Sequence, residues 1–404
     1  MGVAADVPAA GSAQMVKHLD DLPPRGSQFP AGRTLPPRAV SSRRLRKGTR
    51  RVARHRVAQV GVGARGKIHA DALLQLSDRY ELVGLCDIDA GRLRAYAAAK
   101  GLPEGMLYAD AERMLAETRP EVFCFATLPD LRLPMVELGV RHGVIGLSFE
   151  KPMANSLREA WAIARLCRDH GIRGVVSHQH KYLTSFQECR RLLDSGALGR
   201  LERVEATCQA WLGQLGTHYM DYVLWANGGS RAKWAVGHVH GRELLADSHP
   251  SPNYTMGHVE FENGVRAWFE FGRLSASHMA RGKFWLDDRL TLYCSRGHAW
   301  ADADGRWGAV ASETLGGQGP TWAEQEPTRL QPLYYAELAD WLDGAVDRHS
   351  CDVQMAYHGY EILNAVCLSA LDHVRVDLPL DPRSVPDVFA RMRRELPECP
   401  EREQ

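Results

Sequence analysis

A glycine-rich turn and an aspartate downstream of it have the types and spacing that bind a dinucleotide. The turn Gly61-Val62-Gly63-Ala64-Arg65-Gly66 follows the apolar run 57–60, and the next apolar run ends at Asp87. The first glycine of such a turn permits the tight bend, the second leaves space for the pyrophosphate, and the third lets the following helix pack closely. The start of that helix attracts phosphate through its unpaired N–H groups. We therefore predict that the dinucleotide binds to Gly61, Gly63, Ala64, Arg65, Gly66 and Asp87.

Asp87 also discriminates between the two nicotinamide dinucleotides. A carboxylate at this position accepts hydrogen bonds from the hydroxyls of the adenosine ribose and repels a 2′-phosphate. No arginine follows Asp87 directly. The predicted cofactor is therefore NAD, with NADP less favoured.

Glu150-Lys151-Pro152 follows another apolar run, at 144–149. Ligands of open α/β sheets bind at the carboxyl ends of parallel strands, so these residues stand where a substrate would meet the cofactor. Oxidation of a carbinol removes a hydride and a proton, and a lysine with a lowered pKa can polarise the oxygen or relay that proton. Taken alone, however, Lys151 is better explained as a solvated charge at a strand end.

The elements that position these residues alternate along the chain. Short apolar runs predict strands at 57–60, 80–87, 121–126 and 144–149, and amphipathic stretches predict helices at 67–75, 92–100, 131–142 and 156–170. Buried strands that alternate with helices indicate a parallel sheet covered on both faces.

After residue 174 the pattern changes to longer strands with period-two alternation. They are predicted at 201–211, 232–242, 254–271 and 283–294, with a hairpin at Asn263-Gly264 and helices at 185–195, 217–226, 333–346 and 354–373. The predicted fold class is therefore α/β: a Rossmann doubly wound parallel sheet, followed by an α+β domain with a mostly antiparallel open sheet.

Four segments follow from this pattern. They are a disordered basic extension at 1–54, an NAD-binding Rossmann domain at 55–175, a substrate and oligomerisation domain at 176–382, and a tail at 383–404. Eight of the fourteen residues from Arg43 to Arg56 are Arg or Lys, without an acid. We interpret this run as a solvated tail, with polyanion binding or targeting as the alternatives.

The overall composition points to no macromolecular partner. A net charge of +1 gives no global field for nucleic acid or an anionic membrane, and no run of 18 apolar residues exists. Nine cysteines without a C-x-x-C pair indicate reduced thiols, so we expect a cytoplasmic protein.

Several signatures occur together in a fixed order. They are the glycine turn, Asp87, Ala126-Thr127-Leu128-Pro129-Asp130, Glu150-Lys151-Pro152, Ser195-Gly196-Ala197-Leu198-Gly199 and Gly216-Thr217-His218-Tyr219-Met220-Asp221. In this order, over residues 56–382, the chain closely resembles the glucose–fructose oxidoreductase, inositol dehydrogenase and MocA family. The resemblance implies a sugar, cyclitol or related polyol as substrate, and a homodimer or homotetramer paired through the open sheet.

The resemblance also implies roles for individual residues. Thr127, Leu128 and Glu150 would contact the cofactor, and Lys151 would be the catalytic lysine, preceding a cis peptide bond to Pro152. His218 would accept or relay the proton. Asp221 would orient His218 or contact the substrate, although a core ion pair would explain it equally well.

The chain departs from the family pattern at several positions. Gln214 stands where many members have an acid, and a glutamine can bind a substrate hydroxyl but cannot exchange a proton near neutral pH. Arg132 replaces a usual histidine, and Leu128 replaces a usual proline. Lys181-Tyr182 replaces a common Arg-Phe pair, and we place both residues at the pocket wall with Gln214 and His218 as substrate contacts.

Two His-x-His pairs and many tryptophans have other possible roles. His178 with His180, and His238 with His240, could chelate a metal, but no third ligand is evident at useful spacing, so we predict no metal. Core and interface packing is the preferred interpretation of the tryptophans, with stacking on a sugar as the alternative.

Three functions remain open at this point. The preferred one is an NAD-dependent oxidoreductase that transfers a hydride between nicotinamide and a hydroxyl or carbonyl carbon of a sugar-like or cyclitol substrate. The second is a redox-neutral NAD-dependent glycosidase or epimerase. The third is a catalytically silent, dinucleotide-dependent sensor, which Gln214 favours and Lys151 with His218 disfavours.

Overall fold

The apolar runs of the first half form a parallel sheet in the computed structural model, which describes residues 54–247, 249–279 and 283–399. Apart from Arg54, the predicted basic extension lies outside the described residues. The strands of the first sheet are β1 (His55–Val60), β2 (Tyr80–Cys86), β3 (Leu107–Tyr108), β4 (Val122–Phe125), β5 (Gly146–Phe149) and β6 (Arg173–Val176). Their order is β3-β2-β1-β4-β5-β6, and every pair is parallel, as predicted.

The register of this sheet brings the carboxyl ends of its central strands to one edge. Val60 pairs with Cys86 and with Phe125, and Phe125 pairs with Phe149. The residues that immediately follow these strands therefore lie side by side, because parallel strands in register end together. The sheet edge thus positions the glycine turn, Asp87 and the Glu150-Lys151 pair along one line.

Helices cover both faces of this sheet. They are α1 (Ala64–Gln75), α2 (Ala90–Lys100), α3 (Ala111–Thr118), α4 (Arg132–Arg141) and α5 (Leu157–Asp169). The hydroxyl of Ser156 caps α5 by accepting a hydrogen bond from the backbone N–H of Glu159, which agrees with the capping sequence.

The second half forms a nine-stranded sheet. Its strands are β7 (Leu201–Cys208), β8 (Ala232–His240), β9 (Tyr254–Phe261), β10 (Arg266–Gly272), β11 (Asp288–Cys294), β12 (Gly297–Ala301), β13 (Arg306–Val310), β14 (Thr314–Gln318) and β15 (Val376–Asp377). The order is β14-β13-β12-β11-β7-β10-β9-β8-β15, antiparallel except between β7 and β10. The hairpin predicted at Asn263-Gly264 joins β9 to β10. The meander β12–β14 was not predicted, because these strands are short and carry little apolar alternation.

The second half also contains α-helices, three of which pack on the second sheet among the described residues. The helices are α6 (Thr184–Asp194), α7 (Thr217–Ala226), α8 (Trp322–Gln325), α9 (Gln331–Leu342), α10 (Val353–Asp372) and α11 (Val388–Glu395). Helix α6 contacts β12 and β13, α7 contacts β7 and β11, and α10 contacts β8 and β9, whereas the opposite face exposes half of Trp268. The segment predicted as a tail contains α11, which buries Val388, Phe389 and Met392.

Both sheets contribute to one continuous hydrophobic core. Helix α9 packs against α1, and the Tyr80 hydroxyl donates a hydrogen bond to the carbonyl oxygen of Tyr335 at 2.8 Å. Among the described residues, no helix combines the length and the apolar character needed to cross a membrane.

Candidate active site

The glycine turn has the shape that a dinucleotide requires. Gly61 has φ +90°, and a Cβ there would lie 2.7 Å from the carbonyl oxygen of Ala126. A Cβ on Gly66 would lie 2.1 Å from the carbonyl oxygen of Gly61, so α1 approaches the turn too closely for any larger residue. The side-chain amide of Gln59 donates to the carbonyl oxygens of Gly61 and Gly66, at 2.9 and 2.7 Å. Gly63 caps α1 and Ala64 begins it, so the free N–H groups of the first turn start at the position predicted for phosphate.

Asp87 is buried beside this turn. One carboxylate oxygen accepts a hydrogen bond from the backbone N–H of Val62 at 2.8 Å, and the other accepts from that of Asp89 at 2.9 Å. The guanidinium of Arg92 lies 3.9 Å from the Asp87 carboxylate and 3.0 Å from that of Asp89. Nothing in the sequence indicated that Arg92, five residues further along the chain, would lie beside Asp87. The turn and the carboxylate together fit NAD.

Glu150 forms the centre of a charged cluster that joins the two sheets. One of its oxygens accepts from Nε of Arg65 at 3.0 Å and from Nε2 of His69 at 2.9 Å. Arg65 also pairs with Glu326, at 2.5 Å from Nη1 to Oε1. Burial raises the pKa of the Glu150 carboxyl, but the charge of Arg65 and the hydrogen bond from His69 outweigh it and hold the pKa well below its usual range. Arg65 and Glu150, both predicted as cofactor contacts, thus pair with each other.

Lys151 follows Glu150 at the sheet edge, and its ammonium points towards the turn Leu212–Gly216 that precedes α7. The Lys151–Pro152 peptide bond is cis, as expected. Nζ donates a hydrogen bond to the carbonyl oxygen of Gln214 at 2.8 Å. Burial, assisted by the charges of Arg65 and Arg132 and opposed by Glu150, lowers the pKa of Lys151 to about 8. The amine can therefore gain or lose a proton near neutral pH.

His218 lies within the electrostatic field of Lys151. It is buried in the first turn of α7, and its Nδ1 hydrogen-bonds the Tyr222 hydroxyl at 3.0 Å. Burial and the neighbouring charges, including that of Lys151, lower the pKa of His218 well below its usual range. Its Nε2 has no hydrogen-bond partner within the described part of the chain. The imidazole is thus neutral, with one nitrogen held by protein and the other available.

The structure adds a third imidazole to the pair His178 and His180. The ring centre of His218 lies 5.0 Å from that of His178 and 5.1 Å from that of His180. Sequence spacing could not show this, because α6 and β7 separate the two segments along the chain. Across residues 54–247, 249–279 and 283–399, no three His, Cys, Asp or Glu side chains are arranged to hold a metal ion.

Asp221 lies behind this imidazole cluster, fully buried. Its carboxylate pairs with the ammonium of Lys181 and lies 3.4 Å from Nδ1 of His178. Burial raises the pKa of Asp221, but the charge of Lys181 outweighs it, and the pKa is lowered. Asp221 therefore adjoins His178 rather than His218 itself.

The side-chain polar groups of Lys181 and Tyr182 are committed to protein contacts. The ammonium of Lys181 donates to the carbonyl oxygen of Ser350, in addition to its ion pair, and is fully buried. The Tyr182 hydroxyl donates to Glu337. The structure does not bring these two groups to Lys151, whereas it does bring Gln214 there.

Several buried polar atoms around Lys151 and His218 have no hydrogen-bond partner among the described residues. They are Oγ1 of Thr127, Nε and Nη1 of Arg132, Nδ1 of His180, Oε1 of Gln214, Oγ1 of Thr217 and Nε2 of His218. Buried polar groups in proteins nearly always have partners, so these atoms are free to hydrogen-bond a polar ligand. Leu128, by contrast, is 61% exposed.

Sequence reasoning missed four residues of the site: His69, Arg132 as a buried cation, His180 as a neighbour of His218, and Glu326. His69 carried a weak signal, since it follows the glycine turn on the same helix. Glu326 carried none, because 261 residues separate it from Arg65.

Residues 55–178 match the family model described as "Oxidoreductase family, NAD-binding Rossmann fold". The chain is 32% identical to D-apiose dehydrogenase of Paraburkholderia graminis over 151 residues, which are 37% of this chain and 39% of that protein. It is 29% identical to glycosyl hydrolase family 109 protein 2 of Akkermansia muciniphila over 178 residues, which are 40% of this chain and 36% of that protein. The matches therefore span less than half the length of these relatives.

A solved structure extends the similarity beyond residues 55–178. The WlbA dehydrogenase from Bordetella pertussis, in complex with NADH and UDP-GlcNAcA, superposes with a TM-score of 0.63 at 21% identity. The superposition covers 81% of this chain and 100% of that one. At this identity the similarity shows a shared fold.

Proposed function

From the match of residues 55–178 to the oxidoreductase family with an NAD-binding Rossmann fold, we propose that the chain is a dehydrogenase or reductase of a sugar-like or cyclitol substrate. The hydride would move between NAD and a hydroxyl or carbonyl carbon. The name of the D-apiose dehydrogenase relative supports a hydroxylated sugar as the substrate class.

One observation carries the proposal: the Lys151 ammonium, at the carboxyl edge of the parallel sheet, donates a 2.8 Å hydrogen bond to Gln214 in the turn that leads directly into the buried His218. When bound, NAD supplies the hydride acceptor or donor at its nicotinamide ring. The chain must then accept the proton that an alcohol loses on oxidation. Lys151 changes its protonation state in the required range, and its hydrogen bond to the Gln214 carbonyl holds the amine in one place.

His218 would continue the path of the proton. Because Tyr222 holds Nδ1, Nε2 is the nitrogen that would contact the substrate hydroxyl or receive the proton. Asp221 would act as a positioning residue, since it fixes His178 against the His218 ring. The side-chain amide of Gln214 would bind a substrate hydroxyl without exchanging a proton.

A cofactor-reduction screen tests the proposal. The purified chain with NAD is offered aldoses, polyols, sugar acids and inositols, and the absorbance of NADH is recorded. Net NADH with at least one compound supports the dehydrogenase. Cleavage of a glycoside without net NADH would instead assign the glycosidase function. The name of the Akkermansia muciniphila relative, a glycosyl hydrolase, is the reason for considering that function. Turnover of no compound, with tight NAD binding, would favour the sensor.

We also propose that two copies of the chain form a dimer through the second sheet. The face of the second sheet that exposes Trp268 and Met256 would pair two copies of the chain. Light scattering on the purified protein checks this pairing, and a monomer at micromolar concentration would contradict it.

The cysteines bear on the cellular compartment. All nine are free and seven of them are buried, which supports a reducing compartment such as the cytoplasm.

A further inference from the structure

Arg132 is a buried cation that forms no ion pair with any carboxylate of the described residues. It begins α4, and 2% of the residue is exposed. Its Nη2 makes a long hydrogen bond, 3.4 Å, to the carbonyl oxygen of Lys151. Its Nε and Nη1 are buried and have no partner among residues 54–247, 249–279 and 283–399. Burial lowers the pKa of Arg132 to about 10, so the guanidinium stays charged at neutral pH.

The carboxylate of the charged cluster does not neutralise Arg132. One oxygen of Glu150, Oε1, accepts from Arg65 and His69, and the charges of Glu150 and Asp130 act on Arg132 only at a distance. Burying an unpaired charge costs several kcal/mol, whereas a guanidinium paired with a carboxylate gains charge-assisted hydrogen bonds. A ligand that brings a negative charge would therefore remove an unfavourable feature of this site.

The position of Arg132 indicates that its guanidinium would contact the substrate rather than the dinucleotide phosphates. Its charge lowers the pKa of Lys151 and, after burial and Lys151 itself, that of His249. His249 belongs to the loop that packs on the turn Leu212–Gly216, where the backbone N–H of Gly213 donates to Ser251. The phosphates are expected at Gly63, beside Arg92 rather than Arg132.

We infer that Arg132 binds a carboxylate of the substrate, so that the chain acts on a hydroxylated acid, such as a uronic or aldonic acid, in preference to the neutral sugar. This rests on the proposed function and specifies its substrate class. The free Nε and Nη1 supply three N–H donors, and a planar guanidinium matches the geometry of a carboxylate.

The test compares matched pairs of substrates, D-glucose with D-glucuronate and D-galactose with D-galacturonate. We expect wild-type kcat/KM to be higher for the acid of a pair, and Arg132→Gln to reduce that preference roughly 10- to 100-fold, mainly through KM. Arg132→Lys should retain part of it. Arg141→Gln, on the exposed end of the same helix, should leave it unchanged.

Two results would overturn the inference. One is an unchanged ratio of acid to neutral sugar in Arg132→Gln. The other is a loss of NAD affinity in a fluorescence titration, which would assign the cation to the dinucleotide phosphates. If no compound is turned over, calorimetry of D-glucuronate against the wild-type and Arg132→Gln complexes with NADH still decides: acid binding lost only in the variant supports the inference, and equal or no binding contradicts it.

Discussion

Nζ of Lys151 lies 2.8 Å from the carbonyl oxygen of Gln214 and donates a hydrogen bond to it. The bond connects the carboxyl edge of the parallel sheet to the turn that precedes α7. At the position where related enzymes often carry an acid, this chain therefore uses its backbone, which aims the ammonium without adding a negative charge. Burial, the largest cause, lowers the pKa of Lys151 to about 8, and this has measurable effects.

Replacement of Lys151 should separate binding from chemistry. Lys151→Met removes the proton acceptor, so we expect kcat to fall roughly 10²- to 10⁴-fold. The affinity for NAD, measured by quenching of tryptophan fluorescence, should change only a few-fold. Lys100→Met is the matched control, because that ammonium pairs with Asp71 on the exposed end of α2. A Lys151 variant with near-normal kcat would refute the assignment.

The pH profile should report the ionisation of the amine. Burial disfavours the ammonium and lowers the pKa of Lys151 to about 8, with Arg65 and Arg132 lowering it further and Glu150 and Glu326 raising it. Oxidation needs the neutral amine, so kcat/KM in that direction should rise with pH and level off above about 8. Reduction needs the ammonium and should decline over the same range. In Arg132→Gln one neighbouring positive charge is absent, so the inflection should move to higher pH; an unmoved inflection would show that another group titrates.

The buried pair of Asp221 and Lys181 should dominate the stability of the site. Asp221→Asn leaves the Lys181 ammonium buried without its carboxylate, and we expect a loss of about 3–5 kcal/mol in the free energy of unfolding, measured in urea. Lys181→Met added to Asp221→Asn should recover part of this loss. Glu117→Gln, which breaks the exposed pair with Arg113, should leave the free energy of unfolding nearly unchanged. Additive losses in the double variant would contradict the pairing.

Asp87 should control the choice between NAD and NADP. Arg92 lies 3.9 Å from the Asp87 carboxylate, so Asp87→Ser removes the repulsion of a 2′-phosphate and leaves a cation beside its position. The ratio of kcat/KM for NAD to that for NADP should fall by about 10- to 100-fold. Adding Arg92→Gln should reverse part of the change. Asp110→Ser, at the cap of α3 on the same sheet, serves as the control.

The amino-acid sequence by itself determined the architecture and the cofactor site. Continuous apolar runs specify strands buried on both faces, and such strands pair in parallel, so their carboxyl ends meet at one edge. This is why Gly61, Asp87 and Lys151 could be brought together from spacing alone. Helix α7 was predicted with its observed bounds, Thr217–Ala226, and the Asn263-Gly264 hairpin was also predicted correctly. Local signals of this kind depend on only a few neighbouring residues, so they specify the same element however the elements pack together.

Only the tertiary structure decided which side chains share a charge or a proton. Arg65 meets Glu326 across 261 residues, and His218 meets His178 and His180 from a different element. Arg132 is exposed or buried according to how α4 packs against the Lys151 backbone, which no periodicity reports. Pairing of buried polar groups depends on the distance and the desolvation that packing imposes, and the order of residues along the chain contains neither.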